Sequence, residues 1–535
     1  MSAGRAQTGQ ALNPTGRQTP RMFNKILVAN RGEIAVRVMR ACRELGISVV
    51  AIYSEADKDS LHVAYADEAY CIGPPPPRES YLNIERIVDV AEKCGAEAIH
   101  PGYGFLAENP AFARACKEAG IEFIGPTPES MELMENKVAT KRLVAKAGVP
   151  VVPGPLEPVK DADEAVEVAE ELGYPVLLKA ALGGGGRGLR IAWSSEEVRL
   201  LFETASREAE TAFGSPEIYV EKYVRRPRHI EVQLLADKHG HIVHLGEREC
   251  SIQRRYQKVI EEAPSPVVDE ETRELIGEWA IRAARAVGYV NAGTVEFIRD
   301  RDGNFYFMEI NKRIQVEHLV TEMVTGIDIV KAQIRIAAGE ELWFGQEDVV
   351  LRGHAINCRI CAEDPYGDFA PCPGTVTEFR PPGGPGVRMD TALYPGYTVP
   401  IYYDSLIAKL ATWGSDRREA IARMRNALEE LVISGIKTTV PLHKAIMRDG
   451  DFVAGRLHTE FLDEKLPGLL KVARELEGDL ELVAAIASAV ASMKAGRRPM
   501  ALPRRRLPRA RSAWRLGVLA GPAWGWGFCP IGTTT

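Results

Sequence analysis

The chain has 535 residues, of which 45% are apolar and 26% charged, and its formal net charge at pH 7 is −6. This composition is typical of a soluble protein with several folded domains and excludes a largely disordered chain. The net negative charge does not indicate a nucleic-acid-binding protein, and no segment is long and apolar enough to span a bilayer.

Residues 1–21 lack an apolar core and are predicted to form a disordered extension. In residues 22–135, short apolar strands such as 25–30 and 48–54 alternate with helical stretches. This alternation predicts a parallel α/β domain.

Residues 136–345 are predicted to form a second domain, in which 152–225 make a small α+β lid subdomain. The lid contains four consecutive glycines, Gly183 to Gly186, between Lys179 and Arg187. Ordering such a run is costly, because glycine loses the most backbone freedom on folding. A loop with free N–H groups and flanking cations suits an anionic ligand. From these residues alone, however, we expect a flexible connector, and the anion-binding loop is the alternative.

Residues 346–466 are predicted to form a further α/β domain, and 467–535 a helix followed by a disordered basic tail. Eight arginines and no acidic residue lie within 497–515. We interpret this tail as solvated chain, and a nucleic-acid-binding arm is the alternative.

The nine cysteines are unevenly spaced. This pattern predicts reduced thiols and a cytoplasmic protein. Cys358 and Cys361 form a CxxC pair within a predicted strand, where residues three apart point to opposite faces. We therefore expect neither a metal site nor a redox role for the pair.

Residues 294–318 give the strongest indication of a site. Two extended runs flank Asp302 and Gly303, a preferred two-residue hairpin turn. That turn would place Glu296 opposite Glu309, and like charges facing each other are destabilising. A divalent cation bound by both carboxylates would remove the repulsion, and oxygen ligands suit Mg²⁺. Carboxylates splayed into solvent are the alternative.

The alternation of side chains continues past this hairpin. If the strand continues, one face carries five polar residues, which are Glu309, Asn311, Arg313, Gln315 and Glu317. Arg313 would then bind an oxyanion in bidentate fashion, and Glu317 would accept a proton.

A second polar cluster spans residues 229–262. His229, Glu231 and Gln233 alternate along a predicted strand, and the segment that follows is dense in charge. That segment contains Gln253, Arg254, Arg255, Lys258, Glu261 and Glu262. A structural salt-bridge network and a binding site are both open for this cluster.

Seven segments resemble the biotin carboxylases, enzymes of the ATP-grasp superfamily. They are HPGYGFLAEN (100–109), GGGGRG (183–188), EKYVRRPRHIEVQ (221–233), ERECSIQRRYQKVIEEAP (247–264), EINKRIQVEH (309–318), RICAEDP (359–365) and GYTVPIYYDSLIAKL (396–410). The resemblance covers residues 22–465 in one order. It implies an N-terminal parallel α/β biotin carboxylase domain, an ATP-grasp domain with a mobile small subdomain, and a C-terminal biotin carboxylase domain.

The resemblance also implies a reaction and its ligands. ATP and bicarbonate form carboxyphosphate, and biotin on a carrier protein takes the resulting CO₂. The metal is Mg²⁺ or Mn²⁺, with two ions expected. The positions that match ATP contacts are Lys137, Lys179, Gly185, Gly186, Glu221, Lys222, Val224, His229, Gln253, Glu296 and Glu309. The positions that match metal ligands are Glu296, Glu309 and Asn311.

For the remaining substrates, the bicarbonate positions are Lys258, Arg313, Gln315 and Val316. Glu317 matches the general base. Arg359 matches the residue that stabilises the biotin enolate. The catalytic set implied by the resemblance is Glu317, Arg313, Arg359 and Lys258.

Four positions depart from the family pattern. Leu182 stands where a glycine is common, so we expect a stiffer lid. Tyr256 replaces a histidine near the nucleotide, and we expect a mild change in ATP affinity. Lys312 replaces a small polar residue but should face away from the site. Leu319 replaces a proline, which is expected to loosen the base.

We expect the carrier and the carboxyltransferase on separate chains, because only SMKAG (492–496) comes near the Met-Lys-Met turn of a biotin carrier. The helix predicted at 481–494 is interpreted as an ordinary packed helix, with docking of a partner as the alternative. A homodimer is expected, without nucleic acid or membrane partners.

The final carboxyl acceptor stays open. It is acetyl-CoA, as in fatty acid biosynthesis, or propionyl-CoA, pyruvate or 2-oxoglutarate. Two other functions also stay open, namely a biotin-independent ATP-grasp ligase and a non-catalytic regulatory subunit.

Overall fold

The computed structural model describes residues 21–180, 189–213, 216–478, 486 and 488–490. Residues 1–20 of the predicted extension, Leu182, the glycine run with Gly185 and Gly186, and almost all of the predicted C-terminal tail lie outside these ranges. Residues 1–477 form one compact unit and residues 478–535 a second. In the second unit the described residues 486 and 488–490 are helical.

The N-terminal domain is built on a parallel sheet of five strands in the order β3-β2-β1-β4-β5. Apolar runs such as Ile26 to Val28 are fully buried, as expected for strands covered by helices on both faces. The predicted parallel α/β fold is confirmed. The elements are β1 (Lys25–Val28), α1 (Gly32–Glu44), β2 (Ser48–Ser54), α2 (Leu61–Tyr65), β3 (Glu68–Gly73), α3 (Ile84–Cys94), β4 (Ala98–His100), α4 (Pro110–Glu118) and β5 (Glu122–Phe123).

The chain order of this sheet reverses between β1 and β4, so the loops that leave these two strands open a crevice at their carboxyl ends. The side chain of Asn30, after β1, donates to the carbonyls of Pro101 and Tyr103, after β4, at 2.7 Å each. The two loops are thereby fixed together.

Two helices, α5 (Pro128–Glu135) and α6 (Lys137–Lys146), lead to the small subdomain. Asn136 caps α6 by accepting from the Ala139 N–H, which sets Lys137 at the first helical position. The subdomain has its own apolar core and an antiparallel sheet in the order β7-β6-β8. Its elements are α7 (Ala162–Leu172), β6 (Val176–Ala180), β7 (Leu189–Ala192), α8 (Ser195–Phe213) and β8 (Ile218–Lys222).

The largest sheet spans two predicted domains. The elements before the predicted boundary at 345/346 are β9 (Arg228–Ala236), β10 (Ile242–Arg254), β11 (Gln257–Ala263), α9 (Glu270–Ala286), β12 (Asn291–Arg299), β13 (Phe305–Asn311), α10 (His318–Thr325) and α11 (Ile329–Ala337). The elements after it are β14 (His354–Cys361), β15 (Glu363–Asp364), β16 (Ala370–Pro371), β17 (Gly374–Thr375), β18 (Glu378–Arg380), β19 (Val387–Thr391), β20 (Thr398–Val399), β21 (Leu406–Gly414), α12 (Arg417–Glu430), β22 (Val432–Ser434), α13 (Val440–Ile446), α14 (Gly450–Val453) and α15 (Phe461–Glu477).

Eight of these strands form one antiparallel sheet in the order β13-β12-β9-β10-β11-β14-β21-β19. The boundary predicted at 345/346 falls in the connection from α11 to β14, but β11 pairs with β14 across it. Likewise, α15 continues through the predicted boundary at 466/467, although Pro467 lies inside the helix.

The hairpin of β12 and β13 places Glu296 opposite Glu309, as predicted from the sequence. The predicted turn is wrong, however. The strands close through Asp300 and Asn304, which leaves a three-residue loop. A bulge at Met308 then shifts the register by one residue. The two departures cancel, so the pairing of the glutamates is restored.

The prediction that β13 continues to Glu317 is wrong. The strand ends at Asn311, residues 312–317 are irregular, and α10 begins at His318. Alternation therefore does not decide where Arg313, Gln315 and Glu317 point.

The predicted strand around the CxxC pair is confirmed as β14. Cys358 is buried in the apolar core, whereas Cys361 lines a cavity. The eight cysteines that the structure describes are all free thiols. Among the described residues, no helix combines the length and apolar character needed to cross a membrane.

Replacing Glu262 with Gln is expected to destabilise the fold. The Glu262 carboxylate on β11 accepts hydrogen bonds from His354 at 2.7 Å and from Arg417 at 2.6 and 3.1 Å. Burial would raise the pKa of Glu262, but these partners lower it to about 2. Such a carboxylate stabilises the folded state above its ordinary pKa of 4.5, and this contribution is lost as the pH falls toward 2.

The free energy of unfolding of the native protein should therefore exceed that of Glu262→Gln by about 2 kcal/mol near neutral pH, and by less in acid. Urea unfolding of both proteins over a series of pH values measures the difference. A difference that stays constant with pH would contradict this assignment.

Candidate active site

The centre of the site is the ammonium group of Lys258 on β11. It donates to Glu231 at 2.5 Å, to Glu296 at 2.7 Å and to Glu317 at 2.8 Å. Burial alone would lower the pKa of Lys258, but the three carboxylates outweigh it and raise the pKa well above its ordinary value. Lys258 therefore stays charged, and it holds together side chains from three parts of the chain.

Glu317 lies at the N-terminus of α10 and is 1% exposed. Its second oxygen accepts from Nη2 of Arg359 on β14 at 3.0 Å. Burial would raise the pKa of Glu317, but Lys258 and Arg359 hold it below its ordinary range. The carboxylate is thus ionised and able to accept a proton, with reduced affinity for that proton while both cations contact it.

Arg248 on β10 is a member of the site that the sequence analysis missed. Its side chain is fully buried, and all five of its donor hydrogens have partners. These are Glu231, Gln233, Thr321, Thr294 and Gln315, at 2.5 to 3.2 Å. An arginine in the middle of a strand that is buried from its second to its second-last residue is the signal that could have identified it.

The proposed metal ligands share one edge of the sheet. Glu296 contacts Lys258 and accepts from Gln315 at 2.9 Å, and its other oxygen lies 3.0 Å from Nε2 of His229. Glu309 accepts instead from Lys137 at 2.5 Å. Lys258 thus offsets the charge of Glu296, and Lys137 that of the facing Glu309.

The residues at this edge fit a hard cation. Glu296 and Glu309 lie directly opposite each other, and the Asn311 amide is close by in the same pair of strands. The Asn311 nitrogen has no hydrogen-bond partner among the described residues, and its oxygen accepts only one long hydrogen bond, from Arg313 at 3.4 Å. Two carboxylates and an amide offer the oxygen ligands that Mg²⁺ prefers.

The positions matched to ATP lie where the small subdomain meets α6. Glu221 on β8 accepts from Lys179 on β6 at 3.0 Å and from Lys141 on α6 at 2.7 Å. Lys222 donates to the Gly173 carbonyl at 2.6 Å, and Val224 is half-buried. Lys141 is a further contact that the sequence analysis missed.

The remaining positions matched to ATP lie deeper in the sheet. Gln253 and His229 are buried and hydrogen-bonded to each other, 2.7 Å apart. His229 also faces Glu296, so this pair lies next to the predicted metal ligands. The described positions matched to ATP thus lie on both sides of the facing carboxylates Glu296 and Glu309.

A cavity of about 360 Å³ lies at the crevice between the loops after β1 and β4. Lys258, Arg313, Val316 and Arg359 line it, so it brings together most of the side chains matched to bicarbonate and biotin. Gln315 is not part of the lining, because its amide bonds Arg248 and Glu296. The other lining residues are Asn30, Arg31, Gly32, Glu33, Ile34, Tyr103, Gly104, Phe105, Gln257, Cys361, Tyr403, Asp404, Ser405 and Leu406.

Three of the departures from the family pattern are described. The Tyr256 side chain is 74% exposed and sits at a positive φ of 66° in the turn between β10 and β11. Lys312 donates to the Met131 carbonyl at 3.3 Å and not to a carboxylate of the site. Leu319 is fully buried in the first turn of α10.

Family models match three consecutive parts of the chain. The model described as biotin carboxylase, N-terminal domain, matches residues 22–131. The model described as carbamoyl-phosphate synthase L chain, ATP binding domain, matches residues 136–344. The model described as biotin carboxylase C-terminal domain matches residues 357–464.

Curated relatives and solved structures agree with these models. A pyruvate carboxylase subunit of Methanothermobacter thermautotrophicus is 57% identical over 86% of this chain and 94% of its own length. Biotin carboxylase 1 of Bacillus subtilis is 55% identical over 83% of this chain and 98% of its own.

Among solved structures, the biotin carboxylase domain dimer of Hydrogenobacter thermophilus 2-oxoglutarate carboxylase, in complex with MgADP, ADP and bicarbonate, is 55% identical. It covers 84% of this chain and 99% of its own, with a TM-score of 0.78. These matches confirm the resemblance seen in the sequence: the chain is an enzyme of the biotin carboxylase family.

Proposed function

We propose that the chain uses ATP and bicarbonate to carboxylate biotin on a carrier protein, as the first half-reaction of a biotin-dependent carboxylase. The observation that carries this proposal is one cavity lined by Lys258, Arg313 and Arg359. Behind it, the buried Glu317 carboxylate accepts hydrogen bonds from Lys258 and Arg359. Three cations suit two anionic substrates, and an ionised carboxylate among them suits a proton acceptor.

Lys137 and Lys179 are proposed to bind the nucleotide phosphates. Both now pair with glutamates, Lys137 with Glu309 and Lys179 with Glu221. Both lysine side chains are more than a third exposed, so they can turn to phosphate. The buried Glu221 would then keep its hydrogen bond from Lys141. Gly185 and Gly186 are proposed to donate backbone N–H groups to the nucleotide. Glu221, Lys222 and Val224 are proposed to hold its base, with His229 and Gln253 near the ribose and phosphates.

Glu296, Glu309 and Asn311 are proposed to hold Mg²⁺ or Mn²⁺, with two ions in the loaded enzyme. When bound, the metal supplies charge that offsets the negative charge of the phosphates. Because Glu296 would then bind the metal, Lys258 would lose its hydrogen bond to that carboxylate. Lys258 could then donate to bicarbonate. Arg313, the backbone of Val316, and Gln315 once its amide no longer donates to Glu296, are proposed to contact bicarbonate as well.

Glu317 is proposed to take the proton of bicarbonate, so that a bicarbonate oxygen attacks the γ-phosphorus of ATP and ADP leaves. Its low pKa in this arrangement makes it a weak base. We infer that its proton affinity rises when Lys258 turns toward bicarbonate. The carboxyphosphate formed breaks down to CO₂ and phosphate. Phosphate takes the ureido proton of biotin, and the nitrogen then attacks CO₂ while Arg359 stabilises the enolate.

The proposed partners are a biotin carrier and a carboxyltransferase on separate chains, and a second copy of this chain in a homodimer. Two relatives carry the names of subunits of larger carboxylases, and one of the similar solved structures is a dimer, which supports this assembly. Free thiols at all described cysteines support a reducing, cytoplasmic location.

The purified chain is expected to cleave ATP only with bicarbonate and Mg²⁺, and to do so faster when free biotin is added. Measuring ADP release with each component omitted tests this. Bicarbonate-dependent cleavage that does not respond to biotin would favour a biotin-independent ligase. No cleavage under any condition would favour a regulatory subunit.

Glu317→Gln is expected to lower the bicarbonate-dependent rate by at least about a hundredfold, because an amide cannot accept the proton. The amide keeps the shape of the side chain, so folding should be spared. Comparing ADP release and thermal unfolding with those of the native protein measures both effects. An unchanged rate would contradict the assignment of Glu317 as base.

A further inference from the structure

We propose that Glu261 is the positioning residue of Arg359, and that it leaves one guanidinium nitrogen free to meet the biotin carbonyl. The inference rests on the proposed function, in which Arg359 contacts biotin. Glu261 itself is 0% exposed and does not line the cavity, so it would act on the reaction through Arg359 alone.

Two carboxylates hold the Arg359 guanidinium. Nε donates to Oε1 of Glu261 at 2.5 Å, and Nη2 donates to Oε2 of Glu317 at 3.0 Å. Among the described residues, Nη1 has no hydrogen-bond partner. Because the guanidinium is planar with its donors in a fixed fork, two fixed donors also fix the direction of Nη1. Arg359 lines the cavity, so this nitrogen is the one left for a ligand.

Glu261 is itself held in place. It lies directly opposite Asn357 across β11 and β14, and its Oε2 accepts from the Asn357 amide at 2.7 Å. The carbonyl of Arg359 is anchored from the other side, by Nε2 of His443 at 2.7 Å and by the Thr439 hydroxyl at 3.2 Å. Both ends of Arg359 are therefore fixed to the sheet and to α13.

The neighbouring ion pair shows what a purely structural contact looks like in the same strand. Glu262 points to the other face of β11 and receives two hydrogen bonds from Arg417, one on each oxygen. Glu261 gives Arg359 only one oxygen and leaves the other edge of the guanidinium to Glu317. This arrangement is typical of a carboxylate that orients the arginine, and less so of one that only neutralises its charge.

The consequence is specific to one step. Bicarbonate-dependent ATP cleavage would rely on Glu317, Lys258 and Arg313, whereas carboxylation of biotin would also require the free nitrogen of Arg359. Removing the charge of Glu261 should therefore impair the response to biotin more than ATP cleavage without biotin. A carboxylate that only stabilised the sheet would not separate the two activities.

The test compares Glu261→Gln with Glu262→Gln, a matched loss of a buried carboxylate on the other face of the same strand. ADP release is measured with bicarbonate alone and over a range of free biotin. For Glu261→Gln we expect the biotin-dependent kcat/KM to fall at least about tenfold, while cleavage without biotin changes little. For Glu262→Gln we expect lower stability with the biotin response retained.

A second variant, Glu261→Gln/Asn357→Asp, moves the carboxylate across the strand pair, where the introduced amide can donate to it. It is expected to recover part of the biotin response. If the native enzyme responds to biotin and the biotin response of Glu261→Gln equals that of Glu262→Gln, this inference alone is overturned. A native enzyme without any response to biotin would overturn the proposed function, and this inference with it.

Discussion

The ammonium of Lys258 is the contact on which the rest of the site depends. It joins Glu231 of β9, Glu296 of β12 and Glu317 at the start of α10, at 2.5 to 2.8 Å. Three buried carboxylates this close would repel one another strongly without a cation among them. The proposed base Glu317, the proposed metal ligand Glu296 and the buried network around Glu231 are thereby brought to a single point.

The positive and negative side-chain charges around Lys258 nearly cancel. Arg248 and Arg359 add two cations and Glu261 adds a fourth carboxylate, so this network of ion pairs holds four carboxylates and three cations. Arg313, which lines the same cavity, adds a fourth cation. Burial raises the pKa of Glu261, and the charge of Glu317 adds to this effect. The facing carboxylates of Glu296 and Glu309 at the edge of this site offer the oxygen ligands that a divalent ion prefers.

Much of this site was predictable from local patterns, and the failures share a cause. The pairing of Glu296 with Glu309 follows from side-chain alternation within one hairpin, and it survived an error in the turn because the bulge at Met308 restores the register. Alternation failed beyond Asn311, where the chain leaves the sheet. The role of Arg248 could not be derived locally, since its partners come from β9, β12, α10 and the loop before α10. The pairing of β11 with β14 is equally non-local.

The most direct measurement is a crystal structure of this chain with Mg²⁺, a non-hydrolysable ATP analogue and bicarbonate. We expect Glu296 and Glu309 to ligate the metal together and Lys258 to donate to bicarbonate. A structure in which Lys258 still bonds all three glutamates, with the metal bound away from Glu296 and Glu309, would contradict this expectation.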